Sequence, residues 1–125
     1  MGMRADFLVS FERDELAALD RFFVLFDSPG AFAVQSRTPE LLSRALSAMQ
    51  ADIRKACVEL GDGAASDLAV HLRLDSDEAQ AASEDFKKLK VRELEVAFGD
   101  DLGSTDASIA LWKMLDVLSP VEIAF

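Results

Sequence analysis

The stretch from Arg21 to Gln35, RFFVLFDSPGAFAVQ, decides how the first third of the chain folds. It contains four Phe, two Val and one Leu, interrupted by Asp-Ser-Pro-Gly at 27–30. Upstream, apolar residues recur at helical spacing from Leu16 to Phe26, which predicts a helix over 12–26 that ends at the Asp-Ser-Pro-Gly turn. A β-hairpin over 21–35 is the alternative, because Phe and Val also favour strands.

Outside this stretch, the pattern of apolar residues divides the chain into strands and helices. Four segments alternate apolar and polar residues, which is typical of strands exposed on one side: 5–11, 67–75, 92–98 and 121–125. Three further segments have helical spacing: 38–60, 76–90 and 104–118. The last of these helices would be capped by Ser104 or Thr105. Its buried face would carry four apolar residues: Ile109, Trp112, Leu115 and Leu118.

The alternation within the strands favours a particular architecture. Strands of a parallel sheet buried on both faces read as continuous apolar runs, and these strands do not. We therefore expect one α+β domain over residues 1–125. It would be a two-layer sandwich, with an approximately four-stranded, mostly antiparallel or mixed sheet and helices on one face. The open face would carry polar residues: Asp6, Ser10, His71, Arg73, Glu93, Glu95 and Glu122. No internal repeat is recognisable in the sequence.

Net charge restricts the class of partner. The chain has 13 Lys and Arg against 23 Asp and Glu, giving −10, and residues 64–125 hold 13 of the acids but only 6 of the bases. This balance disfavours binding to nucleic acid or to anionic membranes, and it favours a basic protein partner. The longest apolar run, FFVLF, is too short to span a bilayer. One cysteine and no signal peptide predict a cytoplasmic protein.

Few residues suggest catalytic chemistry. With one His and one Cys, we expect neither a metal site nor a cofactor, and Cys57 lies on the apolar face of its predicted helix. His71 and Arg73 could form a ligand site on the sheet face, with His71 as a general base, although a histidine on a solvated sheet face is the simpler interpretation. Trp112 is predicted to lie in the core, with an interface anchor as the alternative.

These observations predict a non-catalytic protein that binds a basic partner, of the inhibitor, immunity-type or adaptor kind. The expected contacts are acids of the second half: Asp75, Asp77, Glu78, Glu93, Glu95, Asp100 and Asp101. One alternative is a dimeric secretion chaperone or assembly factor, in which FFVLF or the final VEIAF is exposed to a second copy. Another is a small enzyme or ligand-binding domain that uses His71.

Overall fold

The computed structural model describes residues 4–28, 32, 35–63, 66–99 and 101–118. In these residues, two strands and five helices follow one another along the chain. They are β1 (Arg4–Glu12), α1 (Arg13–Phe26), α2 (Pro39–Asp62), β2 (Asp67–Asp75), α3 (Ser76–Phe86), α4 (Val91–Phe98) and α5 (Asp101–Leu118). The strands pair with each other as an antiparallel two-stranded sheet.

The predicted four-stranded sandwich is therefore wrong, because the described chain is mostly helical. The strands predicted at 5–11 and 67–75 are present, and the one predicted at 121–125 lies outside the described residues. Residues 92–98 form α4 instead of a strand. Val91, Leu94 and Phe98 recur at helical spacing, and Leu94 and Phe98 are buried. This short segment fits both the two-residue period of a strand and the period of a helix, and the packing of its helical face against the core favours the helix.

The Phe-rich stretch continues α1 to Phe26, so the hairpin alternative is wrong over the residues that form this helix. Phe22 is fully buried, and its ring centroid lies 5.6 Å from that of Phe86 in an edge-on arrangement. The ring of Phe26 lies equally close to Phe86 at 5.6 Å. This aromatic cluster joins the end of α1 to the end of α3. It makes the three Phe of FFVLF part of the core, whereas Val24 is 45% exposed.

The sheet has one buried and one open face. Val9, Phe11, Val70, Leu72 and Leu74 are buried beneath the helices. On the opposite face Asp6, Ser10, His71 and Arg73 are exposed, as predicted. Glu93 and Glu95, which were expected on the same face, lie on α4 instead, and Glu122 is outside the described residues.

The two strands are arranged about a local pseudo-twofold axis. In their register, Leu8 is paired with His71 at the centre, and Arg4 with Asp75 at one end. A rotation about the central pair therefore places each residue of β1 on the residue 63 positions later in β2. Ser10 and Arg73 are both exposed, Phe11 and Leu74 are both buried, and so are Val9 and Leu72.

The helices that follow the two strands repeat the same arrangement. Burial along α1 from Arg13 to Phe23 is matched, almost position by position, along α3 from Ser76 to Phe86. α1 packs on α5 while α3 packs on α2, and α2 packs on β2 while α5 packs on β1. The described chain is thus built from two βαα halves that exchange contacts, and in the second half α4 lies between α3 and α5. Four identical residues recur between the equivalent segments 4–26 and 67–89, which explains why the repeat is not recognisable in the sequence: Asp14, Glu15, Ala18 and Phe23.

Candidate groove between helices α4 and α5

Helix α5 is apolar on two sides. Its buried face is formed by Ala107, Ala110, Leu111, Met114 and Leu118. The prediction that Trp112 and Ile109 lie on the buried face is wrong, because Trp112 is 73% exposed and Ile109 is 40% exposed. The helix also begins at Asp101, before the predicted caps. α5 has two adjacent apolar faces, and the prediction chose the face with the larger side chains, which is the exposed one. The alternative of Trp112 as an interface anchor is compatible with its position, but remains a prediction.

The outward side of α5 carries a stripe of exposed apolar residues. Leu102, Ile109 and Trp112 are separated by seven and three residues, so they lie near one face of the helix. Leu102 is 81% exposed, more than any other exposed large apolar residue in the described chain. We refer to these three residues as the α5 stripe. An apolar stripe of this kind on a helix is typical of a surface that another molecule covers.

A groove runs beside the α5 stripe. It encloses about 380 Å³ between the end of α3, α4 and α5. Its apolar walls are formed by Phe86, Leu89, Val91, Leu94, Leu111 and Leu115, and Trp112 stands at its rim. A shallower depression of about 150 Å³ adjoins it and shares Val91 and Ser108. We refer to the two together as the α4–α5 groove.

The pseudo-symmetry supplies an internal comparison for this groove. The buried positions Ala45, Met49 and Ile53 of α2 correspond to Ala110, Met114 and Leu118 of α5, each 65 residues later. A counterpart groove of about 170 Å³ lies on α2, and Phe23 lines it as Phe86 lines the α4–α5 groove. The counterpart is smaller by more than half.

The side chains that face outward differ in polarity between the two halves. The positions 65 residues before Leu102, Ile109 and Trp112 are occupied by Arg37, Arg44 and Ser47, and Arg37 precedes the start of α2. The first half therefore has the polar surface expected of a solvated helix, whereas the second half has an apolar one. Because both halves have the same fold and only one has apolar residues at these positions, folding alone does not require the α5 stripe.

The acids predicted to bind a partner do not form one surface. Asp75 and Glu78 are committed to the start of α3: the amide of Glu78 donates to Asp75 Oδ1 at 2.8 Å, and the amide of Asp75 donates to Glu78 Oε1 at 3.2 Å. Asp77 is exposed in the same turn. After Glu78, eight residues of α3, about 12 Å of helix, and the connection over 87–90 separate this turn from α4.

The other predicted acids belong to the region of α4 and α5. Glu95 is exposed and lines the shallow end of the α4–α5 groove. Glu93 is partly buried, and its Oε2 has no hydrogen-bond partner in the described chain. Asp100 lies outside the described residues, and Asp101 begins α5. Asp77 and Glu95 thus remain the two predicted contacts whose described side chains are exposed.

His71 and Arg73 lie where the sequence analysis places them, on the open face of β2. Both line a shallow depression of about 110 Å³ beside α2, together with Asp52 and Lys55. The backbone amide of Arg73 donates to Asp52 Oδ2 at 3.2 Å, which satisfies part of the free edge of β2. The Asp52 carboxylate therefore has a structural role, which accounts for its position beside β2.

Cys57 is half-buried between α2 and α1. Its Sγ donates to the carbonyl oxygen of Leu16 at 3.6 Å. Burial, and secondarily the negative charge of Asp20, raise the pKa of the Cys57 thiol above its ordinary value. This environment disfavours the thiolate, which is the nucleophilic form.

The described residues show neither a metal-binding cluster nor a membrane-spanning helix. Across the described ranges, no group of three or more His, Cys, Asp and Glu residues is arranged to hold a metal ion. None of the five described helices combines the length and apolar character needed to cross a membrane.

Comparison of the chain with protein-family models, curated proteins and solved structures finds no match. The features that bear on function are therefore the α4–α5 groove and the difference in surface polarity between α2 and α5.

Proposed function

We propose that this chain is a protein-binding protein that captures a basic partner through the α4–α5 groove. The observation that supports this proposal is the presence of the α5 stripe at positions whose counterparts in the first half are polar: Arg37, Arg44 and Ser47. Tryptophan is one of the side chains enriched at the energetic centre of protein interfaces. Trp112, at the rim of an apolar groove, would supply such a centre.

The net charge of −10 supports the choice of a basic partner. A field of this sign accelerates the encounter with a positively charged protein, and salt weakens the effect. Exposed acids such as Asp77 and Glu95 would contribute to this attraction without needing to share one surface. We further propose that the protein acts in the cytoplasm, where a single unpaired cysteine is stable.

The test replaces two residues of the α5 stripe with polar residues. The double variant Ile109→Ser/Trp112→Gln places polar side chains at two exposed positions of α5, so we expect it to fold. Val58→Ser is the matched control, because Val58 is 65% exposed on α2 and does not line the groove. Tagged wild type and both variants would be used to capture partners from cells of the source organism at low and high salt, with quantitative mass spectrometry.

We expect a basic protein that is recovered with wild type and with Val58→Ser, and is lost with Ile109→Ser/Trp112→Gln. The same partner, purified, should bind the double variant at least about 30-fold more weakly, since interface anchors contribute about 2 kcal/mol or more. Equal affinity for wild type and the double variant would refute the proposal. An acidic or neutral partner that binds through the groove would refute its electrostatic part.

A further inference from the structure

The walls of the α4–α5 groove restrict the form of its occupant. Two helices that pack on each other form the groove, and the backbone groups in the interior of each helix are paired within that helix. An extended peptide gains most of its affinity from pairing with an open strand edge, and no strand lines this groove. A helix, in contrast, binds by placing apolar side chains between neighbouring helices. The groove therefore favours a helical occupant.

The length of the groove follows from the residues of α5 that line it. Lining begins at Ser104 and ends at Asp116. These residues are twelve positions apart, which corresponds to about 18 Å along the helix axis. A bound helix lying along α5 would make contact over about three turns. Its apolar residues would recur at steps of three and four to face Trp112 and the groove walls.

Charged side chains stand at both ends of the groove. Glu95 is exposed at the end near Ser104, and Asp116 is exposed at the opposite end. Lys87 is the cation among the lining residues, and it lies in the larger depression with Asp116. A helix with Lys or Arg near both ends of its apolar face would meet a carboxylate at each end. An acidic residue on the same helix could face Lys87.

A second copy of the chain is a less suitable occupant. Association of two copies would bring together two net charges of −10, and long-range repulsion opposes this encounter. A basic partner gains from the same field. The charge of the whole molecule and the acids at the groove ends therefore favour the same occupant.

We propose that the α4–α5 groove binds an amphipathic helix of about three turns from the basic partner, with cationic residues about eleven positions apart at the two ends of its apolar face. This inference rests on the proposed function and specifies the partner segment. Glu95 and Asp116 would select the cationic ends, while Trp112 and the apolar walls would bind the face between them.

The test uses the full chain and a displayed library of 16-residue peptides without tryptophan. One half of the library has an apolar helical face with all other positions randomised, and the other half has proline-containing extended sequences. Peptides are selected on wild type and counter-selected on Ile109→Ser/Trp112→Gln. Binding of purified peptides is then measured through the emission of Trp112, the single tryptophan of the chain.

We expect the recovered peptides to be helical, with Lys or Arg enriched at both ends. Neutralising the two ends should weaken binding at least tenfold. Glu95→Gln/Asp116→Asn should remove most of the preference for cationic ends, whereas Asp77→Asn, a control on α3 distant in sequence from the groove, should not. A blue shift of Trp112 emission should accompany binding.

Three results would overturn the proposal, and they separate its two levels. Groove-dependent binders that are extended, or that lack cationic ends, would refute the helix assignment and leave the groove as a binding site. The absence of any peptide that distinguishes wild type from Ile109→Ser/Trp112→Gln would refute the proposed function as well. Concentration-dependent dimerisation by sedimentation velocity, abolished in the double variant, would assign the groove to a second copy.

Discussion

At the scale of single residues, Glu15 connects the start of α1 to α5. Its carboxylate is almost fully buried, and Oε1 accepts from the amide of Glu12 at 3.0 Å and from the ammonium group of Lys113. The equivalent residue of the second half is Glu78, whose Oε1 accepts from the amide of Asp75. Within the described residues, Glu78 forms no ion pair, so the two glutamates differ in the contact with Lys113.

This difference makes a stability prediction possible. Glu15→Gln and Glu78→Gln both retain an amide oxygen that can cap the helix. We expect Glu15→Gln to lower the free energy of unfolding by about 1–2 kcal/mol more than Glu78→Gln, because it also removes a charge-assisted hydrogen bond. The partial exposure of Lys113 keeps the difference in this low range. Urea denaturation followed by circular dichroism measures both variants, and equal losses would contradict the assignment.

Cys57 allows a prediction about pH. Because burial and Asp20 raise its pKa, the folded protein has less thiolate at pH 7–8 than an unfolded chain. We expect slow alkylation by iodoacetamide at pH 7.5, faster reaction in urea, and a steep rise in rate as pH increases through the raised pKa. The stability linked to this residue is full below the unfolded pKa and is lost as pH rises through the folded pKa.

The control for Cys57 is Asp20→Asn, which removes the smaller cause of the shift and should moderately increase the alkylation rate at pH 7.5. A folded-state rate equal to that of the unfolded chain would show that the thiol is freely accessible and ordinary in acidity.

At the scale of elements, α4 depends on how it ends. Gly99 closes α4 with a φ of 71°, and its amide donates to the carbonyl oxygen of Glu95 at 3.0 Å. This left-handed conformation is unfavourable for residues that have a Cβ. We expect Gly99→Ala to lower the free energy of unfolding by about 1 kcal/mol. Partner binding should weaken too, because α4 forms one wall of the groove.

Gly61 is the matched control for this change. It lies in the last turn of α2, and an added Cβ would meet no atom within 4 Å. Gly61→Ala should therefore leave stability unchanged or increase it by up to about 1 kcal/mol. Thermal denaturation of the two variants compares them directly, and a stabilising Gly99→Ala would contradict the capping role.

The same elements show where sequence reasoning succeeds. Long segments with one clear period were predicted with small boundary errors: the strand at 67–75 is correct at both ends, and the helix predicted at 38–60 is α2. A single apolar face fixes both the type of element and its buried side. The exposed positions of His71 and Arg73 could be predicted for the same reason.

The failures occur where a segment has two apolar patterns. Residues 92–98 alternate like a strand, yet with Val91 they also have a helical stripe. α5 has two apolar faces, and the face with smaller residues, including Ala107 and Ala110, is the buried one. Choosing between such patterns requires knowledge of the neighbouring elements, which local periodicity does not contain. The α4–α5 groove could not be predicted, because both of its walls were among these segments.

At the scale of the whole molecule, the two βαα halves share a fold but differ in surface. Equivalent positions are buried alike in α1 and α3, while the outward residues of α2 and α5 differ in polarity. Core positions are constrained by packing, and outward positions are free to take on a binding role. Polar substitutions at the exposed positions of the α5 stripe therefore test function without changing the core that the two halves share.

The exchange of contacts between the halves also determines how the molecule can open. Pairs in the sheet join residues that are between 55 positions apart, from Glu12 to Asp67, and 71 positions apart, from Arg4 to Asp75. No rung of this ladder can form within one half, and each strand is covered by a long helix from the opposite half. Local fraying cannot release the central amides that are hydrogen-bonded across this ladder, so their hydrogen exchange should proceed only through cooperative global unfolding.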